Sequence, residues 1–151
     1  MKKVTIYTDG ACSGNPGAGG WAAVLCYKDV NKEISGGEKE TTNNRMELMA
    51  VIQALRALKE GCECAVHCDS QYVVDAFNKN WIAAWQANGW KTSGKAAVKN
   101  VDLWKALLYE TGRHKVTFVK VPGHADVALN ERCDVLAKQQ AEKFAAPTED
   151  K

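Results

Sequence analysis

The sequence predicts an α/β protein: a mixed sheet covered by helices. Two observations predict it. Residues 3–9, 20–28 and 32–41 have strand character and follow one another over short links, which favours antiparallel neighbours. Beyond residue 42, strand and helix segments alternate, the pattern of sheets with parallel neighbours. One domain spanning 1–151 is expected, and a chain of this length buries about 68–70% of its unfolded surface.

Each element has its own signal. The apolar run Val4-Thr5-Ile6-Tyr7-Thr8 makes the first strand and ends on a single acid, Asp9. The stretch TDGACSGNPGAGG then reads as a loop, with five glycines and Pro16 but no lysine. GWAAVLCYK and KEISGGEKET make the second and third strands, joined by a polar turn at Asp29-Val30-Asn31. The spacing then becomes helical: Glu47, Val51, Ala54, Leu55 and Leu58 share a stripe. Thr42-Asn43-Asn44 supplies cap residues for that helix and Gly61 its end. A strand at 63–68 leads through Asp69-Ser70 into a short helix at 70–77. Helices follow near 81–88 and 99–111, a strand at 115–121 and a last helix near 128–144, with a frayed tail from Ala146.

Composition excludes several classes. No stretch approaches the roughly 18 apolar residues of a membrane span. The basic start Met1-Lys2-Lys3 lacks a signal peptide's apolar segment, so a cytoplasmic protein without membrane contact is expected. Cys62, Cys64 and Cys68 share one strand face, but Cys64 and Cys68 stand roughly 13 Å apart, too far to hold one ion. Buried, reduced thiols account for them better. A net charge of +2 is too small to establish a nucleic-acid partner. Gly17 to Ala22 formally fits G-x-G-x-x-A, yet strand rather than helix follows, which rules out a dinucleotide site. The nucleotide-hydrolase loop is excluded because its Gly-Lys-Ser/Thr ending is missing.

Four acids stand apart. Asp9 and Asp69 each end a strand, and sites in such sheets form beyond the carboxyl ends of parallel strands. Glu47 lies on the apolar stripe of its own helix, and Asp134 borders the stripe Cys133, Leu136, Ala137 and Phe144. Taken singly, each has an ordinary role as cap, turn residue, dipole partner or surface ion. Together they would repel one another unless a cation held them. Oxygen ligands without histidine or thiolate suit magnesium or manganese. A metal also reconciles Asp9 with phosphate, while the neighbouring glycines leave room for a nucleic-acid backbone.

The segments TDGACSGNPGAGGWAAV, TTNNRMELMAVIQAL, CDSQYVVDAF, GWKTSGKAAVKNVDLW and VPGHADVALNERCDVLA resemble, in order, the motifs of bacterial type 1 ribonuclease H. The resemblance runs from about residue 3 to 144. It implies a ribonuclease H-like fold, a five-stranded sheet with three antiparallel strands first and two parallel strands after. It implies endonucleolytic hydrolysis of the RNA strand of RNA–DNA hybrids by two Mg²⁺ ions (Mn²⁺ in their place), leaving 5′-phosphate and 3′-hydroxyl ends. A monomer is expected. By resemblance the metal-binding acids are Asp9, Glu47, Asp69 and Asp134, and the catalytic histidine is His124, whose ordinary pKa of about 6.5 suits proton transfer. Groove and phosphate contacts fall on Cys12, Asn15, Thr42, Asn43, Asn44 and Gln71. Asparagine and glutamine amides can read the 2′-hydroxyl that separates RNA from DNA. Two other functions fit the same fold: another metal-dependent nuclease or transposase-like phosphotransferase, and a hybrid-binding module without catalysis.

Two departures from the family pattern stand out. The loop after His124 carries an extra acid, Asp126. Residues 78–100 resemble the family's basic handle, which places Trp81, Trp85 and Lys95 at the substrate. Trp81 and Trp85, one helical turn apart, also suit the handle's own core. Gln86, Ala87 and Asn88 stand where a basic cluster is common, so the handle is thinned.

Overall fold

The computed structural model describes residues 1–92, 94–121 and 128–145. Five strands form one sheet in the order β3-β2-β1-β4-β5. They are β1 (Lys2–Gly14), β2 (Gly17–Tyr27), β3 (Val30–Thr41), β4 (Cys62–Cys68) and β5 (Lys115–Lys120). The first three pair antiparallel, and β1–β4 and β4–β5 pair parallel. The helices are α1 (Asn43–Arg56), α2 (Gln71–Asn78), α3 (Trp81–Ala87), α4 (Val101–Arg113) and α5 (Ala128–Ala145). The expected mixed sheet is therefore present, with three antiparallel strands first.

Alternation along β1 decides what each sheet face buries. Val4, Ile6 and Thr8 point to one face, and Tyr7, Asp9 and Ala11 to the other. The first face meets α1, α2 and α4 over a large core that includes Ile6, Leu48, Ile52, Val66 and Trp104. α5 covers the second face over a smaller core of Ala22, Val24, Cys133 and Ala137. Cys62, Cys64 and Cys68 sit on the large-core side of β4, and all six cysteines are free. His114 is buried between elements. Its Nδ1 accepts the Cys62 N–H at 3.0 Å, so the proton sits on Nε2, which faces the Leu55 carbonyl at 3.1 Å.

The structure corrects three local expectations. First, β1 does not stop at Asp9. It runs on through the glycine-rich stretch to Gly14 and pairs with β2 from Thr5↔Cys26 to Gly14↔Gly17, so only Asn15-Pro16 form the turn. Composition favours a loop there, but an ordered partner strand and two backing helices override weak local propensity. Second, Tyr27 pairs with Val30, so the next turn is Lys28-Asp29, with Lys28 at φ 54° in the left-handed region. Third, α1 ends at Arg56 with Ala57 as its cap, four residues before Gly61.

The glycines also serve a different purpose from the expected one. A Cβ on Gly20 would lie 2.2 Å from the Ala137 carbonyl oxygen of α5, and one on Gly10 would lie 2.6 Å from the Glu47 nitrogen of α1. The missing side chains let both helices approach the sheet, so that space is filled by the protein itself. Gly20→Ala should therefore force α5 outward. Such overpacking costs about 1–3 kcal/mol, which calorimetry should read as a fall of about 3–10 °C in Tm. An unchanged Tm would mean that α5 does not lie against Gly20.

Candidate active site

The parallel register ends at Thr8↔Cys68. Asp9 and Asp69 are thus the first residues beyond it on adjacent strands, at the carboxyl edge where sites form in such sheets. Past this point β1 leaves β4 and continues paired with β2 only, and α1 crosses it over Gly10, which brings Glu47 from the large-core face. One carboxylate oxygen from each of Asp9, Glu47 and Asp69 lies within 4.8 Å of the other two.

This arrangement is electrostatically costly. Asp9 and Glu47 are only 6% and 5% exposed. Burial first, then the charge of Asp69, pushes the Asp9 carboxyl up to about 7, although it accepts the Gly10 N–H at 2.9 Å. Burial first, then Asp9 and Asp69, holds Glu47 well above the usual carboxylate range. Cys68 beneath them is pushed up to about 12, chiefly by burial, so it stays a thiol. Glu47 Oε1 is buried with no hydrogen-bond partner. Buried polar atoms are almost always satisfied, and a carboxylate oxygen without a hydrogen-bond partner that faces two other acids suits coordination to a hard cation. The donor set fits a divalent metal.

Asp134 stands at the rim of this trio. It is close enough to Asp9 to share a hydrogen bond when one of them is protonated, and its Oδ2 pairs with Lys138 Nζ at 3.0 Å. Of the four acids expected to converge, three do so tightly and the fourth flanks them. Sequence reasoning overlooked Lys138, although its i,i+4 spacing from Asp134 was a usable signal. It also overlooked Gly10, whose role depends on a helix crossing that no local pattern reveals.

The expected substrate residues divide into two groups. Cys12, Asn15, Thr42, Asn43 and Asn44 come together beside the β1–β2 turn. The Cys12 thiol points to the Thr41 carbonyl at 3.4 Å, and Asn15 Oδ1 accepts the Asn43 N–H at 3.1 Å. Thr42 Oγ1 caps α1 by accepting the Arg45 N–H at 3.2 Å. Asn43 and Asn44 are exposed, and so is Gln71 at the start of α2, two residues past Asp69. The handle residues lie further off. Trp85 packs on the fully buried Trp104 at 5.3 Å between ring centroids and approaches Trp81 at 6.3 Å. Both rings are half-buried against the large core, the packing role rather than an open stacking platform. Lys95 is exposed, at φ 67° in a tight turn. His124 and Asp126 lie outside the described residues.

Comparison with known proteins decides the family. The RNase H family model matches residues 1–142. The chain belongs to the RNase H family. It is 59% identical over 143 residues to a ribonuclease H of Chlorobium luteolum, covering 95% of this chain and 98% of the relative. It is 60% identical over 144 residues to one of Rhizobium etli, covering 95% of each. Among solved structures, it resembles LC9-RNase H1, described as a type 1 RNase H with the type 2 active-site motif. That match has a TM-score of 0.85 at 31% identity and covers 95% of this chain and 74% of the other. It also resembles LC11-RNase H1, solved in complex with an RNA/DNA hybrid, with a TM-score of 0.71, 25% identity and coverage of 95% and 99%. The family member is a nuclease, a hydrolase, and the family depends on divalent metal. No helix among the described residues is long and apolar enough to cross a membrane.

Proposed function

We propose that the enzyme cuts the RNA strand of RNA–DNA hybrids endonucleolytically, with two Mg²⁺ ions, leaving 5′-phosphate and 3′-hydroxyl ends. The observation that carries this reading is the clustered trio Asp9, Glu47 and Asp69, two of them buried, with its unsatisfied Glu47 oxygen. Bound there, the ions would supply the positive charge that phosphodiester hydrolysis requires. The chain's own residues do the rest. Asp9, Glu47 and Asp69 hold the ions and Asp134 completes the set from the rim. Asn44 and Gln71 offer amides to the 2′-hydroxyl, which DNA lacks. Asn15 fixes the start of α1 through the Asn43 N–H, so the turn and the cap meet the backbone as a unit. His124 is assigned proton transfer or help with product and metal release, by its place in the family motif. Six free thiols fit a reducing, cytoplasmic setting. We take the enzyme to act as a monomer, a reading that size-exclusion chromatography tests.

The test is Mg²⁺-dependent cleavage of a labelled RNA–DNA hybrid, run beside DNA and RNA duplexes, with analysis of the product ends. Cleavage of the hybrid alone is expected. Cutting DNA would favour a different phosphotransferase, and binding without cutting would favour a hybrid-binding module.

The thinned handle carries a further prediction. Gln86, Ala87 and Asn88 are exposed at the end of α3. Lysines installed there should lower KM and steepen its salt dependence by about 0.9 per new phosphate contact, with kcat near constant. If neither KM nor slope moves, this segment does not touch the substrate.

A further inference from the structure

We propose that Asp75 is a positioning residue that fixes which face of the Gln71 amide the substrate meets. The inference rests on the reading that Gln71 touches the hybrid. Gln71 opens α2 directly after the Asp69-Ser70 corner, and Ser70 Oγ caps the helix by accepting the Val73 N–H at 3.3 Å. Asp75 lies one turn on, where i and i+4 side chains share a face. It is 7% exposed, although Gln71 itself is exposed. Gln71 Nε2 donates to Asp75 Oδ1 at 2.5 Å, and Asp75 Oδ2 pairs with Lys79 Nζ at 3.4 Å.

The chemistry of the pair sets a polarity. An ionised carboxylate only accepts hydrogen bonds, so it holds the NH₂ end of the amide and repels the carbonyl end. Lys79 holds the other carboxylate oxygen, Oδ2, from the next turn of the helix, which leaves Oδ1 to Gln71. The flipped Gln71 rotamer would place an amide oxygen against a carboxylate oxygen, with nothing between them to donate. Gln71 is thereby committed to presenting Oε1, an acceptor, at the edge of the carboxylate site. An acceptor held there reads a hydroxyl donor. The 2′-hydroxyl of ribose donates, whereas the 2′-hydrogen of deoxyribose and a 2′-fluorine do not. A neutral amide at position 75 would accept either orientation of Gln71, so the polarity depends on the charge of Asp75 rather than on its shape.

Asp75→Asn preserves the size of the side chain and its capacity to accept from Gln71, and should fold normally. The experiment measures KM and kcat in Mg²⁺ on an RNA–DNA hybrid, and on the same hybrid with single 2′-fluoro riboses placed in turn around the cleaved bond. In the unmodified enzyme, one position should raise KM about three- to tenfold, the worth of one hydrogen bond. Asp75→Asn should raise KM on all-ribose hybrid part of the way toward that value, leave kcat near constant and shrink the penalty for the modified position. Gln71→Ala should abolish the penalty, and the double variant should be no worse than Gln71→Ala alone. If Gln71→Ala loses the penalty while Asp75→Asn keeps it, Asp75 does not set the amide and the proposal falls. If Gln71→Ala also keeps the penalty, Gln71 does not meet the substrate, and the reading beneath the proposal falls with it.

Discussion

Asp69→Asn should reduce Mg²⁺-dependent cleavage of an RNA–DNA hybrid by more than about 100-fold while the fold stays intact. Residues that merely support metal ligands are worth about 10–100-fold in affinity or activity, so loss of a ligand itself should cost more. Asp69 is one of three acids whose oxygens lie within 4.8 Å of one another. An amide in its place keeps one acceptor oxygen but removes the charge that balances a divalent cation. The same exchange relieves repulsion, because the charge of Asp69 is among the causes that raise both Asp9 and Glu47. The metal-free variant should therefore melt no lower than the parent protein. The opposed signs make the result specific: a variant that is inactive because it misfolds would lose stability as well. Circular dichroism melts in EDTA beside a gel-based cleavage assay give both numbers. Cleavage within about tenfold of the parent enzyme would overturn the assignment of Asp69 as a metal ligand.

The metal-free protein should lose stability as pH rises from about 4 to about 7, opposite to the usual behaviour of carboxylates. Asp9 is raised from 3.8 to about 7 in the folded chain, with burial the largest cause. Across that window the folded protein holds a proton that the unfolded chain releases, so deprotonation favours unfolding. Each pKa unit corresponds to about 1.4 kcal/mol, so the whole window is worth up to about 4 kcal/mol. Glu47, also held above its ordinary range, acts with the same sign, so the curve should not recover above pH 7. The ion pairs Glu33–Arg132 and Arg45–Asp102 act elsewhere: hydrogen bonds from the arginines hold Glu33 and Asp102 below their ordinary values, so their contribution is lost only at more acid pH. Divalent metal should reverse the trend. At 100 times its dissociation constant a ligand stabilises the folded state by about 2.7 kcal/mol. At low pH the ion competes with protons for the same oxygens, so the gain should be larger at pH 8 than at pH 5. Melts in EDTA and in Mg²⁺ across pH 4–8, for the parent and Asp9→Asn, test this. Asp9→Asn should flatten the metal-free slope, and an unchanged slope would show that Asp9 is not its source.

Much of this molecule is legible in its amino-acid sequence. Among the described residues most elements fall within a few residues of where periodicity and punctuation place them, β1 and the end of α1 excepted, because long apolar patterns such as Leu48, Val51, Ile52 and Leu55 bury one face whatever the fold. Glu47 announced itself as well. A carboxylate on an apolar stripe is costly unless something compensates for it, and that cost exists in the sequence alone. Asp9 and Asp69 were marked by their place at strand ends, and the ordered motifs carried the family.

Other features depended on partners distant in the chain. Residues 10–14 read as loop from composition and are strand because β2 pairs with them across the turn. Gly10 and Gly20 read as room for a ligand, and the room is taken by α1 and α5. Trp85 could have stacked on a base, but it lies on Trp104, nineteen residues later. Asp134 reaches Asp9 from α5, a contact between residues far apart in the chain, and pairs with Lys138 as well. The sequence by itself determined which residue types occur at which period, and therefore the elements and the anomalous acids, since burial periodicity and charge are local properties. Only the tertiary structure decided how closely the helices approach the sheet and how many carboxylates share one space. Those distances follow from close packing between segments far apart in the chain, where a single absent Cβ moves a helix.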